Sequence, residues 1–196
     1  MNLPTIYLLR HGQTEWNLEG RYQGQLDSPL TLLGKKQAEE NAIKLSKHID
    51  IHKVKFFASP LGRAKSTAKI IARYSGLDYS SIIFEKNIQE FNYGIFEGKT
   101  KTYCQEQYKE VFTQREADKF NYLLEEGESY AEVSKRLKVW LASISHEKEV
   151  VVVAHEMINR TLRGIYCGLK NEEMLQLRQP NDLLIKLENG VETVLE

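Results

Sequence analysis

An apolar run, Ile6-Tyr7-Leu8-Leu9, stops abruptly at Arg10-His11-Gly12, and a second, Val150-Val151-Val152-Val153-Ala154, stops at His155. Short apolar runs without polar alternation suit strands buried on both faces, and such strands belong to parallel sheets covered by helices. In an open α/β sheet, ligands sit beyond the C-terminal ends of the strands. The pattern thus restricts the chain to a doubly covered sheet and delivers two imidazoles to one edge of it.

The rest of the chain alternates in the same sense. Residues 5–9 are predicted as a strand. Residues 11–30 form a loop with a short helical turn, punctuated by Gly12, Gly20, Gly24 and Pro29. Thr31 caps a helix over about 32–47, with Ala38, Ala42 and Leu45 on one face. A strand follows over 53–58, then a helix opening near Pro60 with Ala64, Ala68, Ile71 and Ala72 as its apolar face, and a short strand over 82–84. Residues 85–101 read mostly as loop and 102–124 as helical. Ser129 caps a helix over about 130–145 carrying Val133, Leu137, Trp140, Leu141 and Ile144. After the strand 150–154 comes a helix over about 157–166, ended by Gly168. A hairpin then joins 183–187 to 191–195 through Asn189-Gly190. Alternating strands and helices argue for an α/β fold with a mostly parallel sheet and antiparallel strands at one edge. No linker interrupts the chain, so residues 1–196 are read as one domain, with 85–127 as a lid-like insert.

Composition closes off several classes of function. The 196 residues carry 27 Lys plus Arg against 27 Asp plus Glu. That balance lacks the basic footprint of a nucleic-acid or membrane-surface partner. Cys104 and Cys167 form no CxxC pair, which points to a reducing compartment rather than a disulfide framework. The N-terminal apolar stretch is too short for a signal-peptide core, and no run approaches the ~18 apolar residues of a membrane span. The expected location is the cytoplasm.

The two histidine-terminated strands define the candidate chemistry. A neutral imidazole is a competent nucleophile toward phosphorus once its second nitrogen is held by an acceptor. His11 is the candidate nucleophile. Arg10 and Arg63 supply cations for the phosphoryl oxygens, Arg63 from the first turn of a helix, where an anion is favoured further. Asn17 and Gln23 add amide donors on the first loop, and Gly12 permits close backbone approach. A lone glutamate is ordinarily a surface residue, but Glu90 lies among apolar neighbours in Ile88-Gln89-Glu90-Phe91. There its pKa would rise, suiting a general acid to a leaving alcohol. Glu97 is the second choice. His155, after a buried strand, is read as a pocket group that, protonated, stabilises the transition state alongside the arginines. His48 and His52 share the i, i+4 spacing of metal pairs, yet no third ligand is evident, so they are read as solvated.

These motifs carry a family resemblance. RHGQTEWN followed by GRYQGQLDSPLTLLGKKQA is similar to the opening signature of the histidine phosphatase superfamily, also called phosphoglycerate mutase-like. SPLGRAKSTA resembles that family's second arginine motif, IQEFNYGIFEG its acid-bearing segment, EEGESYAEVSKRL its GES helix start, and VVVAHEMINRTLRG its second-histidine segment. The resemblance runs in chain order from about Ile6 to Gly168. It implies a three-layer α/β/α sandwich and a phosphohistidine intermediate on His11. Arg10, Arg63 and His155 would complete the phosphate pocket, Glu90 would be the general acid/base, and Asn17 and Gln23 would approach phosphate or substrate. It implies neither a metal nor a nucleotide cofactor. One position departs: the family commonly has glycine after its second histidine, where this chain has Glu156. A larger, acidic residue there would crowd the pocket or lower its positive potential, or else point away.

The short chain and its QGQLDSPLT loop favour the phosphatase branch, acting on a small phosphorylated metabolite. A cofactor-dependent phosphoglycerate mutase and a non-catalytic phospho-ligand binding module remain the alternatives. The aromatic-rich stretch 102–124, with Tyr103, Tyr108, Phe112, Arg115, Phe120 and Tyr122, is expected to line the substrate side. The apolar C-terminal hairpin permits a homodimer.

Overall fold

A computed structural model describes residues 3–196 and shows one six-stranded sheet. The strands are β1 (Thr5–Arg10), β2 (Lys55–Ala58), β3 (Ile83–Phe84), β4 (Glu149–Ala154), β5 (Leu184–Glu188) and β6 (Val191–Leu195). Their spatial order is β3-β2-β4-β1-β5-β6. The first four run parallel, and β5 is antiparallel to both β1 and β6. The sheet is therefore mostly parallel, with the antiparallel hairpin at one edge, as the sequence pattern predicts.

Side-chain alternation explains the two covering layers. Ile6 and Leu8 of β1 and Val150 and Val152 of β4 point to one face, where they meet Leu137, Trp140, Ile158 and Leu162. Those four belong to α6 (Tyr130–Ser143) and α7 (Glu156–Cys167). Tyr7, Leu9, Val151 and Val153 point to the other face, against Ala42, Leu45, Ala64, Ala68 and Ile71. These come from α2 (Leu32–Ser46) and α3 (Gly62–Ser75). The result is an α/β/α sandwich. Each fully buried Val, Leu or Ile in this double core contributes about 1.5–3 kcal/mol, so β1 and β4 are firm supports for whatever follows them.

The smaller elements depart from the sequence reading in informative ways. The first loop carries a short helix, α1 (Glu15–Leu18), closed by a reciprocal capping box between Thr14 and Asn17. The stretch 102–124 is not one helix but two, α4 (Lys101–Gln107) and α5 (Lys109–Ala117), broken where Tyr108 leaves helical geometry. A short helix after Gly168, α8 (Asn171–Gln176), was not predicted. Its six residues are too few for periodicity to register, and it is held by Met174 packing on Gly164, where a Cβ would come within 2.4 Å of Met174. The C-terminal turn has positive φ at both Asn189 and Gly190, the signature of a tight two-residue hairpin. Residues 85–127 fold down onto the main core: Phe91, Phe96, Cys104 and Leu124 are buried with Trp140 and Tyr130. Among the described residues no helix is long and apolar enough to cross a membrane.

Candidate active site

β1 and β4 are adjacent and in register, with Arg10 opposite Ala154. The His11 N–H donates to the Ala154 carbonyl at 3.0 Å, so His11 and His155 leave the sheet side by side. Their rings lie 5.2 Å apart, and both residues are buried. Gly12 follows because the chain passes against α2: a Cβ there would lie 2.1 Å from the Gly34 carbonyl oxygen. The close approach anticipated at Gly12 is thus to a helix. Thr67 of α3 accepts from the Gly12 N–H at 3.0 Å and fixes the turn.

The tautomer of His11 follows from its partners. Nδ1 is 2.8 Å from the Gly12 carbonyl, which can only accept, so Nδ1 carries the proton. Nε2 keeps its lone pair and accepts from Arg63 Nε at 3.3 Å. Burial first, then the charges of Arg63 and Arg10, hold the His11 pKa well below its ordinary value. The imidazole is neutral, with its nucleophilic nitrogen next to a guanidinium.

Arg63 is built into the first loop. Its Nη1 donates to the Leu26 carbonyl at 2.7 Å and to Asp27 at 3.1 Å, and its Nη2 to the Gly24 carbonyl at 2.7 Å. Asp27 also accepts the Arg63 backbone N–H on both carboxylate oxygens at 3.2 Å. It thereby caps α3 from a distant loop, since the N-cap residue, Leu61, offers no side-chain bond. Gly62 leaves the room: a Cβ would come within 2.1 Å of Asp27 Oδ2.

Arg10 is held by one nitrogen. Nη1 meets the Gln179 carbonyl and the Glu156 carboxylate, each at 3.0 Å. Its Nε is buried with no partner, as is His155 Nδ1. His155 Nε2 lies 2.7 Å from Ser59 Oγ, and burial, with the charge of Arg63, keeps this ring neutral rather than protonated as the sequence suggested. Beside His11, therefore, one buried donor and one buried imidazole nitrogen lack partners.

Glu90 lies in the same cluster. Its carboxyl is buried and accepts the Phe91 N–H at 2.8 Å. Burial raises its pKa, Arg63 and Arg10 pull it back, and Glu156 adds to the rise. These groups surround a cleft of about 110 Å³ that Arg10, His11, Asn17, Gln23, Arg63 and Glu90 all line. His155, expected in the same pocket, does not line this cleft, though its ring lies 5.2 Å from that of His11. Asn17 gives its Oδ1 to the Thr14 N–H, leaving the amide nitrogen for a ligand, and Gln23 accepts from Ser28. Glu156 points inward: it lines the cleft and bridges Arg10 to Arg160, 3.4 Å away.

Sequence reasoning missed Arg21, Tyr22, Tyr93 and Met157, which also line the cleft. Burial lifts the Tyr22 pKa to about 12, and Tyr93 further, so both walls are neutral phenols. It also missed the supports under β1. Gln179 donates to the Leu8 carbonyl at 3.1 Å, and Asn181 to the His11 carbonyl at 2.6 Å. Isolated amides in a loop carry no pattern that would have marked them. Conversely, none of the aromatic residues expected from 102–124 lines the cleft, and Arg115 stands behind it, over the rings of Phe91 and Tyr93. Glu97 serves structure, accepting from the N–H groups of Gln25 and Tyr93 at 2.8 and 3.1 Å. Among the described residues no cluster of three or more His, Cys, Asp or Glu is arranged to hold a metal ion.

Comparison with known proteins decides the family. The profile of the Histidine phosphatase superfamily (branch 1) matches residues 6–192. The chain belongs to this superfamily. Among curated relatives, a "Probable 2-carboxy-D-arabinitol-1-phosphatase" of Arabidopsis thaliana is 37% identical over 180 residues, 90% of this chain and 36% of that protein. A "Probable phosphoglycerate mutase GpmB" of Escherichia coli is 38% identical over 178 residues, 88% of this chain and 80% of that protein. The chain thus spans little more than a third of the plant relative and four fifths of the bacterial one. The crystal structure of the alpha-ribazole phosphatase from Shigella flexneri superposes with a TM-score of 0.81 at 23% identity, over 97% of this chain and 94% of that one. Phosphatases and mutase-like proteins share this fold and family.

Proposed function

We propose that this histidine phosphatase is a phosphomonoesterase that hydrolyses a small phosphorylated metabolite through a phosphohistidine on His11. The observation that carries this reading is the His11 tautomer: Nδ1 is tied to the Gly12 carbonyl, and the Nε2 lone pair stands beside Arg63. In the first step Nε2 attacks phosphorus and the ester P–O bond breaks. Glu90, whose pKa burial raises, gives its proton to the departing alkoxide. In the second step the Glu90 carboxylate takes a proton from water as the water oxygen attacks phosphorus. The N–P bond breaks, and neutral His11 and phosphate result. Arg10, Arg63 and His155 meet the growing charge on the phosphoryl oxygens, with Asn17 and Gln23 as further donors. No metal and no organic cofactor enters this sequence of steps, so activity is expected to persist in chelator.

The cleft is smaller than the ~300 Å³ or more of ordinary ligand sites, which suits a phosphoryl group and the first atoms of its ester. The rest of the alcohol would lie along Tyr22, Tyr93 and the 85–127 excursion, which we read as a lid on the substrate side. The 38% identity to a protein named as a mutase supports a second reading, phosphoryl exchange between phosphoglycerates. The Glu156 carboxylate beside Arg10 weighs against it, because a bisphosphate primer would bring a second anion to the same small cleft.

Phosphorus NMR with chelator, 3-phosphoglycerate, a bisphosphoglycerate primer and a panel of phosphomonoesters tests both. Growth of inorganic phosphate, absent in His11→Ala, is the expected result. Conversion to 2-phosphoglycerate with little phosphate release would replace the phosphatase reading by the mutase. No change in any ester would leave a phospho-ligand binding module.

A further inference from the structure

The sequence motif Gly127-Glu128-Ser129, at the start of α6, touches none of the groups that the proposed chemistry uses. It grips the segment that carries Glu90. Arg136, two turns into α6, forms a two-pronged ion pair with Glu128: Nε to Oε1 at 2.9 Å and Nη2 to Oε2 at 3.0 Å. The same guanidinium donates to the Asn87 carbonyl, at 2.5 Å, and reaches the Glu90 carbonyl at 3.5 Å. Glu128 Oε2 in turn accepts the Asn92 N–H at 2.9 Å. Backbone bonds continue the seam, with the Glu128 N–H on the Asn92 carbonyl at 2.9 Å and the Ile95 N–H on the Glu125 carbonyl at 3.2 Å. The segments pack so closely that a Cβ at Gly94 would lie 1.9 Å from the Glu125 carbonyl oxygen.

We infer that Glu128 and Arg136 are positioning residues for the general acid: one ion pair fastens the backbone on both sides of Glu90 and thereby aims its carboxyl into the cleft. Three backbone groups flanking one buried acid, all tied to a single pair on a neighbouring helix, are more than a helix start requires. The α6 terminus is already satisfied by Ser129, which caps Glu132 and receives its carboxylate in return. Arg is required because only its planar fork can hold a carboxylate with two nitrogens and still reach two carbonyls; a lysine offers one point of attachment. A general acid misplaced by an ångström or less loses most of its effect while substrate binding persists.

This inference rests on reading Glu90 as the acid, and leaving-group chemistry separates the two. An alkyl phosphate releases a basic alkoxide that needs the proton; p-nitrophenyl phosphate releases a stable phenolate that barely does. Glu90→Gln should lower kcat/KM, which reports the leaving-group step, on glycerol phosphate by roughly 10²–10⁴-fold and on the nitrophenyl ester far less. Arg136→Lys and Glu128→Gln should show the same asymmetry in weaker form, with kcat/KM falling about tenfold or more on the alkyl ester and much less on the nitrophenyl ester. Equal losses on both esters, or no loss on either, would reduce the pair to a structural role and overturn the inference while leaving Glu90 as the acid. If Glu90→Gln itself lacks the asymmetry, the acid assignment fails and this inference with it. Should one of the two variants fold poorly, the other decides.

Discussion

Glu156 does more than crowd a pocket. Its carboxylate holds Arg10 by Nη1 together with the Gln179 carbonyl, while the buried Nε of that arginine has no partner. It also adds negative charge near Glu90 and raises that acid's pKa. The sign of its removal follows. In Glu156→Gly, Glu90 should lose its proton at lower pH, and since the acid must be protonated to act, the alkaline limb of kcat/KM should move to lower pH. The same change frees Arg10 from its counter-charge, so inorganic phosphate should inhibit more tightly, by about tenfold if one interaction of ~1.4 kcal/mol is released. Unchanged phosphate inhibition and an unmoved limb would show that Glu156 is inert. His11→Gln should abolish turnover, by about 10³-fold or more, with the fold intact by circular dichroism. At this scale the sequence was most legible where a polar residue ended an apolar run, as at Arg10, His11 and His155. It was least legible for Gln179 and Asn181, whose role depends on which strand end a distant loop happens to reach.

Elements were legible where their pattern was long. β1, β4, α2, α3, α6 and α7 each present an apolar face of several turns or an unbroken run, and each lies where the spacing predicted. The two failures were short pieces whose form depends on tertiary contact: α8, seated on Gly164, and the break at Tyr108 in the insert. The start of α3 shows the same dependence in a functional place. Its cap is Asp27, thirty-odd residues upstream, and it is admitted by Gly62. Asp27→Ala removes both the cap and a partner of Arg63, and Gly62→Ala pushes the same carboxylate away. Each should cost roughly 1–3 kcal/mol in denaturant unfolding and weaken turnover. Because both act on one contact, the double variant should be little less stable than the worse single one; full additivity would separate the two effects.

For the whole molecule, the site sets how stability varies with pH. His11 and His155 are buried and kept neutral in the folded state, their pKa values held well below the usual 6.5. Below that value the unfolded chain binds two protons that the folded chain does not. This part of stability is therefore present above pH 6.5 and lost as pH falls. Glu90 acts oppositely: its raised pKa lets the folded chain keep a proton that the unfolded one releases above about 4.5. Through the two imidazoles stability falls as pH drops below 6.5, and the Glu90 contribution opposes that fall in part. Urea midpoints should decline accordingly between about pH 7.5 and 5.5, and replacing both histidines by asparagine should remove the decline. A wild-type midpoint that holds steady across this range would mean that the imidazoles are not kept neutral.

The strand that carries the nucleophile pairs with β4 on one side and β5 on the other, both drawn from the last third of the chain. Its end is propped by Gln179 and Asn181 from the same region. During synthesis β1 emerges before α2, α3 and both of its sheet neighbours. Such distant pairings slow folding, because a long loop must close before any contact forms. The nascent polypeptide thus carries its most reactive imidazole long before it has a pocket to put it in. Chains stalled or cut before residue 179 should contain helices α2 and α3, yet transfer no phosphate.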